Sequence, residues 1–312
     1  AIDNVKDNEI GKANIKQNWG NTIILNHGEG LFSSLSHLKR KSITVKEGEK
    51  VKKGDVIAKC GNSGRSPTPH LHFQFQLTDK LGDKTYKFPF SHYLVKCDGT
   101  LELKTFDYPV EGKCVRNIET HKGLKNAYDF KLGDEFEIDY KLNGQNLKEH
   151  WEIKVDILNS VYIENKNGDR LFIYPNEKVF YITNYIGGRT SSLYFFYLTS
   201  VSLPLGFYEN LSWRDSFPVS ITVKSWIRYI TEFFLLFKQS IVSLAEIRFA
   251  EKKEDYFVIE SKIINKGLGL FGFFREEGSG EVIVSSEGEI KTFFFKNKQT
   301  NFEAKINKKG LS

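Results

Sequence analysis

Pro69-His70-Leu71-His72-Phe73-Gln74-Phe75-Gln76 alternates polar and apolar side chains. A strand through it puts His70, His72, Gln74 and Gln76 on one face and Leu71, Phe73, Phe75 and Leu77 on the other. Two imidazoles then look the same way, one able to ligate a metal and the other to move a proton. By itself the pattern fits equally a half-buried strand with a solvated polar face. The pair is launched from Gly61-Asn62-Ser63-Gly64-Arg65-Ser66-Pro67-Thr68-Pro69, where glycine supplies positive φ and each proline drives its predecessor out of the helical region. Upstream, Val45-Lys46-Glu47-Gly48-Glu49-Lys50-Val51-Lys52-Lys53-Gly54-Asp55-Val56-Ile57 repeats valine and glycine six residues apart, which predicts short strands joined by glycine turns. Further back lie Gly20-Asn21-Thr22-Ile23-Ile24-Leu25-Asn26-His27-Gly28 and Ser36-His37-Leu38.

In this order the segments, spanning roughly residues 1–77, resemble the lysostaphin-like zinc metallopeptidases, enzymes that cut peptide cross-bridges and stems of bacterial cell walls. The resemblance implies an antiparallel β-sheet module in which His72 is a zinc ligand and His70 orients or deprotonates the attacking water. It also implies that His37 is a second catalytic histidine, stabilising the oxyanion. Leu35 stands where the family usually has an aromatic residue. His27 matches a position that is common in the family without being a ligand, and is read as structural. The family's first two zinc ligands lie in a His-x-x-x-Asp motif before the Gly-Asn strand. Here nineteen residues precede Gly20, and none is histidine. Catalytic zinc takes three protein ligands and a water. The expectation is therefore an N-terminally truncated module, inactive alone, from a parent zinc metalloendopeptidase acting on peptidoglycan peptides in the cell envelope, periplasmic or extracellular. The rival is a degenerate, non-catalytic wall-binding or regulatory module. A lipoyl-type carrier shares the glycine turns but needs an exposed lysine in a tight hairpin, which Gly61-Asn62-Ser63-Gly64 is not.

Composition sets the outer bounds. The chain has 312 residues, 40% of them hydrophobic, enough for a substantial core and two or three domains. Its 45 basic and 39 acidic residues are spread along the sequence, so the net charge of +6 forms no basic stripe and no nucleic-acid partner is expected. Cys60, Cys97 and Cys114 form no Cys-x-x-Cys pair. Cys60 is expected to be a small buried residue, while Cys97 and Cys114 have the option of pairing in an oxidising compartment. His92, His121 and His150 have no second ligand at a useful spacing and are read as structural or surface residues.

The expected fold is mainly β. A truncated module over 1–95 is followed by a β-rich domain of unknown role over 96–220 and a helix-plus-strand region over 221–312 that belongs, in one reading, to the same C-terminal domain. Glu135–Tyr140, Trp151–Ile157 and Arg170–Tyr174 alternate as strands, with a hairpin turn at Asn165–Asp169. Tyr256–Glu260, Glu281–Val284 and Ile290–Phe295 read likewise, with turns at Gly278-Ser279-Gly280 and Ser286-Glu287-Gly288. Thr190–Tyr208 carries no charged residue but is rich in Ser and Thr and holds Pro204 and Gly206, which suits a buried segment better than a membrane span. Trp226, Ile230, Phe233, Phe234, Phe237, Ile241, Leu244 and Ala245 follow helical spacing and predict one long amphipathic helix. The layout around Phe88-Pro89-Phe90-Ser91-His92-Tyr93-Leu94 resembles extensions that follow such modules, including fusions to a urea-transporter-like membrane region. No such segment occurs here, so membrane association would have to come from elsewhere in a parent protein.

Overall fold

A computed structural model describes residues 1–97, 99–174, 176–223, 241–253, 255–268 and 272–309. They fall into two compact units, Ala1–Pro89 and Phe90–Ser312.

The first unit is built on β1 (Asn21–Asn26), β2 (Phe32–Leu38) and β3 (His72–Gln76), an antiparallel sheet in that order. Ser36 lies opposite His72, Ser34 opposite Gln74 and Leu35 opposite Phe73. The polar face is the buried one: Thr22, Ser34, Ser36, Gln74 and Gln76 are all under 9% exposed, whereas Leu71, Phe73 and Leu77 are 42–57% exposed. This reverses the expected amphipathicity of the His70–Leu77 strand. The reversal costs little because the buried hydroxyls and amides are hydrogen-bonded to one another and to loop carbonyls. The Val45–Ile57 stretch forms its two turns, with Gly48 and Gly54 at positive φ. It forms no strand; Thr44 reaches across through its amide to Ile57 O at 3.0 Å and through its hydroxyl to Val56 O at 2.9 Å.

The second unit is mainly β. Its strands are β4 (Phe90–Cys97), β5 (Thr100–Asp107), β6 (Cys114–Arg116), β7 (Glu135–Leu142), β8 (Gln145–Val155), β9 (Val161–Asn165), β10 (Arg170–Tyr174), β11 (Val179–Ile186) and β12 (Ser202–Pro204). They continue with β13 (Leu211–Ser216), β14 (Ile241–Lys253), β15 (Tyr256–Gly267), β16 (Arg275–Ser285), β17 (Ile290–Asn297) and β18 (Asn301–Lys308), and the helices are α1 (Lys122–Ala127), α2 (Ser192–Ser200) and α3 (Val219–Thr222). All fifteen strands join one sheet, in the order β12-β11-β10-β9-β8-β7-β18-β17-β16-β15-β14-β13-β5-β4-β6. Alternation decides the facing. In β18, Phe302, Ala304 and Ile306 are buried between exposed neighbours, and β15 repeats the pattern through Phe257, Ile259 and Ile263.

What these inward faces cover is α2. Every residue from Ser192 to Ser200 is buried, as an all-round apolar helix requires. Phe195 stacks on Phe302 at 4.1 Å, and Phe196 meets Trp151 and Phe293. The Glu149 carboxylate accepts from the Ser192 amide and hydroxyl and from the Ser191 hydroxyl, while Ser191 Oγ accepts from the Leu193 amide. An acidic group at the helix start thus meets the unpaired N–H groups there. Strands near opposite ends of the sheet order also touch, His92 of β4 being hydrogen-bonded to the Tyr181 hydroxyl of β11. Of the Thr190–Tyr208 stretch, residues 191–206 are buried core, Phe207 and Tyr208 are half-buried and Thr190 is exposed; among the described residues no helix is long and apolar enough to cross a membrane.

Three further sequence expectations change. Ile241, Leu244 and Ala245 belong to β14, not to a helix. Ile241 and Ala245 satisfy helical and strand spacing alike, and the burial of Ser243, Ile247 and Phe249 selects period two. The rest of the expected helix, 226–237, lies outside the described residues. Gly278-Ser279-Gly280 is no turn but the interior of β16, where a Cβ on Gly280 would stand 2.5 Å from Ser261 Oγ and 2.7 Å from Thr199 Cγ2 of α2. The glycine lets helix and sheet approach. Cys60 is exposed, and it and Cys114 are free thiols.

Gly280→Val should therefore destabilise the second unit by roughly 1–3 kcal/mol in urea unfolding, through overpacking against Thr199. Burial, then the nearby Lys178 charge, lowers the pKa of His92 below its usual 6.5. The unfolded chain then binds the extra proton first, so stability is full above pH 6.5 and falls as the pH drops through that value. Replacing His92 with Gln should flatten the loss seen between neutral and acidic pH in denaturant titrations.

Candidate functional site

The centre of the first unit is built on a β-bulge. Asn21 pairs with Leu38 and Ile23 with Leu35, so the one residue between them on β1, Thr22, faces two on β2, Ser36 and His37. The extra step falls at His37, whose φ is +63°, a left-handed conformation costing roughly 1–2 kcal/mol for a residue with a Cβ. Without the bulge His37 would point away from the face shared by Ser36 and His72. With it, the His37 ring lies 4.8 Å from that of His70 and 5.8 Å from that of His72. Re-aiming one side chain is what a bulge does beside a functional centre.

Three connections hold the bulge. The His37 amide donates to Trp19 O at 3.0 Å, its carbonyl accepts from the Gly61 amide at 3.1 Å, and His37 Nδ1 donates to Ser63 O at 2.8 Å. A carbonyl only accepts, so the proton is on Nδ1 and Nε2 keeps its lone pair. His37 is 5% exposed. Burial, then the neighbouring His70 and His72, outweighs the Ser63 hydrogen bond and lowers its pKa, leaving the ring neutral at pH 7. His70 is exposed and precedes β3 instead of belonging to it. Its Nδ1 donates to Thr68 O at 2.8 Å, so its Nε2 also presents a lone pair. The Thr68 carbonyl and the Ser66 hydroxyl at 3.1 Å fix the ring.

His72, at the start of β3, is tied on the other nitrogen. Its Nε2 lies 3.2 Å from Gln74 Oε1, and the Trp19 ring meets its ring edge at 5.0 Å. All three residues singled out in the sequence are thus brought together, while His27 sits apart, bonded to Ser33 at 2.8 Å and against Phe75 on the opposite face. Trp19, Ser63 and Gln74 carry the arrangement and were not read as functional. Gln74 shared the alternation of the histidines, which was a usable signal. Nothing in the sequence marks the backbone contacts of Trp19 and Ser63.

The loop beneath is stitched to the chain's first segment. Asn8 Nδ2 donates to Gly64 O and Ser66 O at 2.6 and 3.0 Å, and Asp7 Oδ1 accepts from the Asn62 amide at 3.1 Å. Asn21 Nδ2 donates to Val5 O and Leu38 O, at 2.8 and 3.0 Å.

Three imidazoles are thus gathered over one face of a small antiparallel sheet, two of them presenting Nε2 lone pairs. Residues 2–84 match Peptidase family M23, and this stretch is an M23, lysostaphin-like domain. The chain is 36% identical over 69 residues to the peptidoglycan DD-endopeptidase ShyC of Vibrio cholerae serotype O1, covering 22% of this chain and 16% of that protein. Identity to ShyA of the same organism, also a peptidoglycan DD-endopeptidase, is 40% over 55 residues, or 18% of this chain and 12% of the relative. An uncharacterized metalloprotease of Haemophilus influenzae is 38% identical over 71 residues, 22% of this chain and 14% of its own. The matched stretches span at most about one-sixth of these three proteins.

The family implies a metal. His72 has the chemistry of a ligand, an imidazole oriented by an acceptor on its far nitrogen. Among the described residues, however, no group of three His, Cys, Asp or Glu is placed to hold one. The donors described do not by themselves make up a zinc site.

Gly64 has φ +77°, and a Cβ there would lie 2.6 Å from Asn18 O and 2.7 Å from Gln17 O. Gly64→Ala should cost on the order of 1–3 kcal/mol and displace the Ser63 carbonyl. Chemical denaturation together with the His37 Nδ1–H resonance checks both effects.

Proposed function

We propose that the protein contributes the catalytic histidines and one metal ligand of a zinc metalloendopeptidase that hydrolyses peptidoglycan peptides in the cell envelope. The convergence of His37, His70 and His72 on one sheet face carries the reading, supported by the M23 match and the endopeptidase relatives. Zinc bound at His72 would supply Lewis acidity toward the scissile carbonyl and its water, and the reading requires two further ligands from outside the described residues.

The roles of the chain's own groups follow from their hydrogen bonds. His70 Nε2, exposed and opposite the bonded Nδ1–H, accepts the proton of the attacking water and returns it to the leaving amine. The Thr68 carbonyl holds the ring in that tautomer. His37, buried and neutral at rest, turns its Nε2 lone pair into the site; it hydrogen-bonds the developing oxyanion once Nε2 has taken a proton from solvent, and releases that proton when the oxyanion collapses.

A second reading, a non-catalytic wall-binding or regulatory module, is favoured by the lack of three metal donors among the described residues. The two separate in one experiment, which measures zinc content and peptidoglycan hydrolysis for the 312-residue chain and for a protein that adds a His-x-x-x-Asp segment ahead of it. The peptidase reading expects zinc and turnover in the latter. There, His70→Ala should lower kcat by about 10²-fold or more with zinc retained, and His72→Ala should lose both zinc and activity. Unchanged zinc content and turnover in His72→Ala would refute the assignment, and neither zinc nor hydrolysis in the extended protein would leave the binding module.

A further inference from the structure

Behind His72 lie two amides whose orientation is not free. Gln76 is fully buried, and its Nε2 donates to Thr78 O at 2.7 Å and Lys80 O at 2.8 Å. Both partners are backbone carbonyls, so the nitrogen has to face them, and Gln76 Oε1 turns back toward Gln74. Gln74, 6% exposed, donates through Nε2 to that oxygen at 3.0 Å and to Asp83 O at 3.0 Å. Its Oε1 is left to accept, taking Thr85 Oγ1 and His72 Nε2, each at 3.2 Å. An oxygen accepting from His72 requires the proton on Nε2, which leaves the lone pair on Nδ1.

We propose that Gln74 and Gln76 form a tautomer lock for His72: the carbonyls of the 78–83 loop set the direction of two buried amides, and these make Nδ1 the electron-pair donor of the ring. Gln74 is thus a positioning residue acting through His72, and Gln76 acts through Gln74. His37 and His70 are locked in the opposite sense, with Nδ1–H held by Ser63 O and Thr68 O. One sheet face therefore carries two Nε2 donors and one Nδ1 donor, a division of labour among identical side chains created by what stands behind each ring. The proposal gives the atom by which His72 would bind a cation, and in that respect rests on the function proposed above. The lock itself is a property of the metal-free chain.

Nitrogen-15 NMR of the metal-free chain, labelled at histidine and recorded at pH 8, tests it. The expected spectrum shows His72 as the Nε2–H tautomer alone, with a hydrogen-bonded Nε2–H signal, and His37 as the Nδ1–H tautomer. Gln74→Met should abolish the hydrogen-bonded His72 signal and convert the ring to an exchanging mixture. Nδ1–H on His72 in the wild-type spectrum would overturn the lock whether or not the variant folds. A His72 spectrum unchanged in Gln74→Met, with His37 resonances intact to show folding, would overturn it too. Because no metal or substrate enters, the expected tautomer in this chain together with an extended protein that neither binds zinc nor hydrolyses peptidoglycan would sink the peptidase reading and leave the lock standing.

Discussion

A sheet face composed of Thr22, Ser34, Ser36, Gln74 and Gln76 can be buried only if its hydroxyls and amides are matched, and that requirement organises the first unit. An unpaired buried amide costs about 1–3 kcal/mol, so two or three mismatches would cancel much of the stability of so small a unit. The matching comes from segments without regular structure: the 78–85 loop, whose carbonyls take the glutamine protons, and the 61–66 loop, whose Ser63 hydroxyl donates to Leu38 O at 2.7 Å and accepts from the Asn21 amide at 2.9 Å. Irregular backbone here is a supply of carbonyls at fixed positions. The histidines inherit that rigidity, since each ring leans on the same loops.

The second unit solves the opposite problem. Its inner helix is apolar all round and presents little for a hydrogen-bonding network to hold, except at its start, where Glu149, Ser191 and Ser192 gather. Aromatic packing does the rest, with Phe195 and Phe196 against Trp151, Phe293, Phe295 and Phe302. Burial of each such ring stabilises by about 1.5–3 kcal/mol, and small residues such as Gly280 mark where the sheet has to come close. The outer face is laced with ion pairs such as Arg248–Glu260 at 2.6 Å and Lys262–Glu277 at 3.1 Å. Exposed pairs of this kind add little stability.

Strands were legible wherever one face is apolar and the other polar: Arg170–Tyr174 was read with the bounds it has, and Glu135–Tyr140 lies within β7. The candidate site was legible as residue types in order. Alternation could not say which face is buried, because it reports amphipathicity, and here loop carbonyls made the polar face the inner one. Nor could it show that His37 joins His70 and His72, since that depends on one left-handed residue, a conformation uncommon for any residue but glycine even though histidine is enriched in it. Leu193–Leu198 looked buried without looking helical, because a helix apolar on every side has no periodicity to detect.

Burial is what distinguishes His37 from His70, two identical side chains with matching hydrogen bonds. Both rings have Nδ1 bonded to a carbonyl and Nε2 facing outward, so hydrogen bonding alone makes them equivalent. Burial breaks the tie. A proton on His37 is held less firmly because the charged ring is poorly solvated and stands beside two more imidazoles. His70, by contrast, is exposed. The bulge therefore sets more than position: by folding His37 inward against Ser63, it puts one of three identical rings where its charged form is disfavoured.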